Sequence, residues 1–135
     1  MAWHSLKVQK LIIDTLIVDP DIQVLVDGRI YDDVPETSTF PFIAYRDISS
    51  TDFGVKDKDA QEIEIQIDVW SEYRGTKETK EIMVKVRELL HNASVSLTDA
   101  ALVNIREVFS TVLIDADDGI TRHGIMRFRV VVFDN

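Results

Sequence analysis

No cysteine occurs among the 135 residues, which excludes a disulfide framework, a thiol nucleophile and a cysteine-ligated zinc. Glycine and proline are sparse, at 5 and 3 residues, in an otherwise ordinary globular composition of 45% hydrophobic and 29% charged residues. No apolar run is long enough to span a bilayer. The opening Met-Ala-Trp-His-Ser-Leu-Lys-Val lacks the basic start, apolar block and small-residue cleavage site of a signal peptide, so intracellular synthesis is the expectation. Basic residues are in deficit: 15 Lys and Arg against 24 Asp and Glu give a net charge of −9. Such a chain is poorly suited to holding nucleic acid by phosphate neutralisation, which needs clustered Lys and Arg. A solvated acidic surface is the simplest reading of that charge; the alternative is that it repels something anionic. At this length a single domain over 1–135 is the most economical organisation, large enough to bury roughly two thirds of its unfolded surface.

What is present is organised around Gln61–Val69. Ile63, Ile65, Ile67 and Val69 alternate with Glu62, Glu64, Gln66 and Asp68. Strand side chains point to opposite faces in turn, so this segment has one β-branched face and one acidic or amide face. A helix would scatter the same residues around its circumference.

Before it, Trp3 to Val18 reads as a helix, with Trp3, Leu6, Ile13, Leu16 and Ile17 at helical spacing. Val8, Leu11 and Ile12 widen the apolar face, so the helix should be covered on more than one side. Asp19-Pro20-Asp21 stops it. Asp21 then caps a short helical turn over Ile22–Val26, which Gly28 ends. Arg29–Tyr31 is a short extended piece, and Asp32 to Thr39 a polar loop. A second strand runs from Phe42 to Ile48. Ser49–Ala60 lacks periodicity and reads as an exposed, mobile connection.

After the central strand, Thr76 is the expected N-cap of a helix over Lys77–His91, with Glu78 placed against the positive end of its dipole. Ile82, Met83, Val86, Leu89 and Leu90 form its apolar stripe, and Asn92 ends it. Leu102–Asp115 is a long β-rich run whose irregular alternation needs a bulge near Arg106–Ser110. Asp115 to Gly119 is a turn. In the last strand, Thr121–Phe133, Met126, Phe128, Val130 and Val132 oppose Arg127, Arg129, Val131 and Phe133. Paired antiparallel, the central and last strands would set carboxylates across from Arg127 and Arg129, worth roughly 0.2–1 kcal/mol per pair. The expected fold is therefore α+β: a mainly antiparallel four-stranded sheet with two main helices packed on one face.

Searches for chemistry return little. Asp115-x-Asp117-Asp118-Gly119 resembles the start of a calcium loop, but the glycine comes one place early and Met126 stands where the closing Glu belongs. A hairpin turn explains it better. Gly75-Thr76-Lys77 lacks the upstream glycine of a phosphate loop, with Tyr73 and Arg74 there instead. His4, His91 and His123 share no metal-ligand spacing and accompany no nucleophile motif; the helix dipole is a sufficient reason for His91. Asn92-Ala93-Ser94 fits a glycosylation pattern, which carries no meaning without secretion. No catalytic residue, metal ligand or cofactor site is expected.

The order of features nevertheless resembles a known family. An N-terminal helix is followed by Asp21-Ile22-Gln23-Val24-Leu25-Val26-Asp27-Gly28-Arg29-Ile30-Tyr31, then Val34-Pro35 and Phe40-Pro41-Phe42-Ile43-Ala44-Tyr45. Next come Ile67-Asp68-Val69-Trp70-Ser71 with its helix and the closing Arg127-Phe128-Arg129-Val130. Each motif is short, but their order and spacing across nearly the whole chain resemble the tail-completion or tail-terminator proteins of long-tailed bacteriophages and related prophage and gene-transfer particles.

The resemblance implies a non-enzymatic α+β virion assembly protein, made in the bacterial host cytoplasm and placed at the head-proximal end of the tail. It implies a homo-oligomer, a ring of six that caps the tail tube, contacts the tube protein and a head-completion or connector protein, and leaves a channel for DNA. DNA would pass without specific binding, no membrane is involved, and no cofactor is needed. A protein-binding module or assembly chaperone of the same fold is the alternative. Gly28–Tyr31 and Phe40–Tyr45 read equally well as core or contact. Asp52, Phe53, Val55, Lys56, Asp57, Lys58 and Asp59 are the candidates for an assembly loop that orders on binding. In a ring, Asp57, Asp59 and Glu62 are candidates to line the channel and keep DNA from sticking.

Overall fold

The computed structural model describes residues 4–54, 56, 58–93, 97 and 100–134. Its elements run α1 (Ser5–Ile17), α2 (Pro20–Val26), β1 (Ile30–Tyr31), β2 (Phe42–Asp52), β3 (Ala60–Ser71), α3 (Lys77–Leu90), β4 (Ala100–Ile114) and β5 (Arg122–Asp134). The strands form one sheet in the order β1-β2-β3-β5-β4.

This corrects the expected four-stranded antiparallel sheet. A fifth strand, β1, pairs parallel with β2 through Ile30↔Ile43 and Tyr31↔Ala44, so the sheet is mixed. Two residues are too few to show an alternation, and the pairing is set from outside the segment. The Ile43 amide donates to the Arg29 carbonyl at 2.9 Å. The Arg29 side chain reaches back to the Pro41 and Phe40 carbonyls at 3.0 and 3.4 Å. The other pairings are antiparallel.

The alternation in β3 decides which face is which. Ile63, Ile65, Ile67 and Val69 are fully buried and lie beside Val130, Phe128, Met126 and Gly124 of β5. Val8, Ile12 and Leu16 of α1, Ile22 and Val26 of α2, and Ile82, Met83, Val86 and Leu90 of α3 complete the same cluster. α2, expected as a short helical turn over Ile22–Val26, thus joins the two main helices as a third, beginning at Pro20. Burying a side chain of this kind stabilises the fold by about 1.5–3 kcal/mol, so this layer is the main source of stability. α1 touches β2, while α3 lies over β3 and β5 and reaches β4.

Local chemistry sets the helix ends. Asp19, not Asp21, caps α2: its Oδ2 accepts from the Asp21 and Ile22 amides at 3.1 and 3.0 Å. Pro20 opens the helix, where its missing N–H costs nothing. Asp27 (φ 50°) and Gly28 (φ 72°) leave α2 through left-handed geometry. Thr76 makes no side-chain cap bond; instead the Ser71 hydroxyl donates to Glu78 at 2.7 Å. His91 is more than a dipole partner, because its Nδ1 accepts the Glu107 amide at 3.0 Å. The bulge expected in β4 falls between Glu107 and Phe109, and a second lies between Leu102 and Asn104.

α1 departs from its expected coverage. Val8, Ile12 and Leu16 are fully buried, but Leu6 is 70% and Val18 75% exposed. The helix is covered along one stripe, and its surplus apolar residues face outward. Trp3 lies outside the described residues. Among the described residues no helix is long and apolar enough to cross a membrane.

Candidate assembly surfaces

The face of the sheet turned away from the helices carries a connected polar and aromatic cluster. Its register brings Phe42 beside Trp70, Ala44 beside Asp68 and Arg46 beside Gln66. On the other side of β3, His123 lies beside Trp70, Arg127 beside Gln66 and Arg129 beside Glu64. The opposite-charge pairing expected between β3 and β5 is therefore present as Glu64 across from Arg129. Arg127 faces an amide, donating from Nε to Gln66 Oε1 at 3.1 Å.

Within the cluster Asp68 is nearly buried, at 7% exposure. Its Oδ1 meets His123 Nε2 at 2.7 Å and accepts from Gln66 Nε2 at 2.8 Å. Arg46 Nε stands 3.8 Å from Oδ2. The His123 ring stacks on Trp70 with centroids 3.8 Å apart, and Trp70 in turn stacks on Phe42 at 6.4 Å. Tyr31 and Phe40 pack on Phe42 at 5.9 and 5.1 Å. Arg127 lies over the Phe109 ring at 5.7 Å. Arg29, Tyr31, Phe40 and Phe42, from the segments the sequence reads as core or contact, thus gather with Asp68 and Trp70 at one end of the outer face. His123 was read as an isolated histidine. Stepping back by twos from Arg127 along β5 places it on the outer face, which is the signal that could have found it.

The candidate assembly loop is the connection between β2 and β3. Ser49–Asp52, expected in a mobile connection, instead extends β2, paired with Gln61–Glu64. The Phe53 amide donates to the Ala60 carbonyl at 3.0 Å, closing the hairpin. The Gly54 amide donates to Asp52 Oδ1 at 2.8 Å. A side chain at Gly54 would stand 2.7 Å from the Lys58 carbonyl, so the turn requires glycine there. Phe53 meets Phe133 edge-on at 5.8 Å, and Lys58 Nζ lies 5.5 Å over the same ring. Lys56 is exposed and Asp59 half-buried; Val55 and Asp57 lie outside the described residues. Glu62 is half-buried, between Thr51 and Val131 in the register.

The carboxylates of the 115–119 turn serve the backbone. Asp115 Oδ1 accepts from the Asp117 amide at 2.9 Å, and Asp118 Oδ1 from Ile120 and Thr121 at 2.8 Å each. The Thr121 hydroxyl, followed by these two amides, holds the Asp118 carboxyl below its ordinary range. On the core side, burial, reinforced by the charge of Asp47, pushes the Tyr45 phenol far above its ordinary range. Its hydroxyl donates to Asp47 at 3.0 Å.

A groove of about 510 Å³ opens between α3 and β4, lined by Thr76, Lys80, Met83, Val84 and Arg87 on the helix side. Ser110, Val112 and Met126 are among its strand residues. It exists because α3 covers the middle of the sheet and leaves the core side of β4 open. Among the described residues of the groove and the outer-face cluster, no serine or threonine hydroxyl is hydrogen-bonded to a histidine or carboxylate.

Comparison with known proteins agrees with this architecture. The chain is 26% identical to the tail completion protein gp17 of Bacillus phage SPP1, over 100% of both chains. The solved structure of SPP1 gp17 superposes with a TM-score of 0.64 at 23% identity, covering 93% of this chain and 88% of that one. A chain in the virion of a native gene transfer agent (GTA) particle superposes with a TM-score of 0.81 at 20% identity, covering 90% of each. At these identities the structural likeness concerns the fold. The model of the family described as "Tail completion protein gp17" matches residues 10–132, and the chain belongs to that family.

Proposed function

We propose that the protein completes a phage-type tail: it caps the tail tube at the head-proximal end and joins it to the head or its connector. It does so as a ring of identical subunits, six in number, around a channel for DNA. The observation that carries this reading is family membership over residues 10–132. The gene transfer agent likeness supports a place in a particle, since the matched chain belongs to a virion. The role needs protein contacts and no chemistry.

The partners are further copies of the chain, the tail tube protein and a head-completion or connector protein. DNA passes through without specific binding. The net charge of −9 favours this, because DNA is not retained by an acidic wall. The 52–59 hairpin is the proposed assembly loop, with Lys56 and Lys58 presented toward its tip and Phe53 and Asp59 at its base.

The test is particle assembly with the gene deleted. Tails should accumulate unjoined to heads and with uncontrolled lengths, and the wild-type gene supplied in trans should restore joined particles. Normal tails attached to full heads in the deletion would overturn the proposal. Charge reversal of Glu62, Asp57 or Asp59 tests the channel: unchanged assembly and DNA passage would remove the acidic lining from it.

A further inference from the structure

A ring requires two different surfaces on each subunit, one to meet the copy ahead and one to meet the copy behind. The structure carries such a pair on opposite margins of the helix layer.

One is the α3–β4 groove. Lys80, Val84 and Arg87 are spaced i, i+4 and i+7, so they share one stripe of α3, and that stripe faces the groove. Val84 is 57% exposed there. The opposite stripe of α3 faces α2, where Lys85 Nζ pairs with Asp21 Oδ2 at 2.9 Å. The groove therefore lies on the far side of α3 from α2.

The other surface is the corner where α1 turns into α2. Val18 is 75% and Val24 84% exposed. The Gln23 side chain donates to the Ile17 carbonyl and holds the two helix ends together. The corner is convex and apolar, and beside it the side chains of Asp14, Asp21 and Asp27 are 57%, 70% and 88% exposed, each already paired within the chain, with Lys10, Lys85 and Arg29. The groove is concave and apolar-floored, with Lys80 and Arg87 along its helix edge and Glu107, 3.6 Å from Arg87, on its strand side. In a chain of net charge −9 copies repel one another in general, and this basic stripe is a place where an acidic corner is drawn in instead.

We propose that the α1–α2 corner of one copy seats in the α3–β4 groove of the next, with Val18 and Val24 against Val84 and Met83. The inference rests on the ring reading and specifies its interface. Because the two surfaces differ and lie on opposite margins, each seated copy presents a fresh groove, and the contacts close into a ring where the rotation from copy to copy completes a turn.

The absence of cysteine makes a clean test available. Val24→Cys, Val84→Cys and the double variant are purified; both positions are exposed, and urea unfolding checks that each variant folds like the parent. Each is treated with a short bis-maleimide, alone at high concentration and with tail tubes of the cognate particle. Assembly is followed in the same samples by light scattering and negative stain. The expected result is a ladder of covalent multimers in the double variant, ending at the ring size, with none in either single variant. Lys80→Glu should raise the half-assembly concentration roughly three- to tenfold. Rings without a ladder, or linkage of Val84→Cys to itself, would overturn this interface and leave the ring standing. Absence of rings under both conditions would remove the ring reading and this inference with it.

Discussion

Gly124 offers a substitution whose sign depends on how closely α3 approaches the sheet. The residue lies in β5 between Val69 of β3 and Val112 of β4. Its backbone is not among those with positive φ, so alanine meets no backbone strain. On conformational grounds alone Gly124→Ala should gain about 0.5–1 kcal/mol, because glycine in a strand loses more entropy on folding. Packing opposes that gain. A Cβ at this position would stand 2.6 Å from Met83 Sδ, 2.9 Å from Thr79 Cγ2 and 3.3 Å from Met83 Cγ. Forcing a methyl into a filled core costs about 1–3 kcal/mol. Met83 is flexible and borders the groove, so it can swing aside, which holds the cost to about 1–2 kcal/mol. Thr79 is fully buried in the first turn of α3 and has nowhere to go. The balance is a net loss of about 0.5–1 kcal/mol. Urea unfolding reads it as a lower midpoint at unchanged slope. A variant as stable as the parent, or more stable, would refute the close approach. Thr79→Ser removes the offending methyl, so the pair of substitutions should cost less than the sum of the two single ones.

Three other perturbations separate local causes. Thr79 Oγ1 is buried with no hydrogen-bond partner among the described residues, so Thr79→Val should stabilise the protein by about 1 kcal/mol; thermal unfolding that moves down instead would mean the hydroxyl is satisfied. Asp19→Ala removes both amide acceptors at the start of α2 and should cost about 1 kcal/mol in urea unfolding; no loss would show that Pro20 alone sets the helix start. Tyr45 is held protonated by burial, so its contribution is fully present below the ordinary tyrosine pKa of about 10 and is lost as pH rises beyond it, because only the unfolded phenol ionises freely. Unfolding midpoints across that alkaline range should fall less steeply in Tyr45→Phe, and an unchanged slope would contradict the assignment.

How much of this was legible in the sequence depends on how far each element's causes lie from it. β3, β5 and α3 declare themselves, because alternation and helical spacing are local and each repeats four or five times. The β4 bulge was legible for the same reason, as a place where a long alternation changes phase. β1 was not. Its two residues carry no period, and it is a strand only because Arg29 and Ile43 tie it to β2. The end of β2 was lost differently: Ser49–Asp52 is exposed and polar, and it is extended because Gln61–Glu64 pairs with it. The cap of α2 lies two residues earlier than expected, since Asp19 and Asp21 are chemically alike and only backbone geometry separates them.

The assembly surfaces were less legible still, and for a physical reason. Alternation and helical spacing mark the core residues, such as Ile63 and Val86, but leave the surplus apolar residues without a place. Ten aliphatic residues crowd the stretch from Leu11 to Val26, yet one stripe is all the sheet can cover. Val18 and Val24 are what remains, and the same limit applied to α3 leaves Val84 outside. A single exposed valine needs no explanation on a folded surface. Exposed valines on opposite margins, one set beside carboxylates and the other edged by Lys80 and Arg87, form two dissimilar and complementary surfaces. Neither Val24 nor Val84 contributes to the fold's own core, so a substitution at either should act on assembly while leaving unfolding unchanged. A substitution at Gly124 acts first on the fold. That division distinguishes an interface from a core whose edge happens to be exposed.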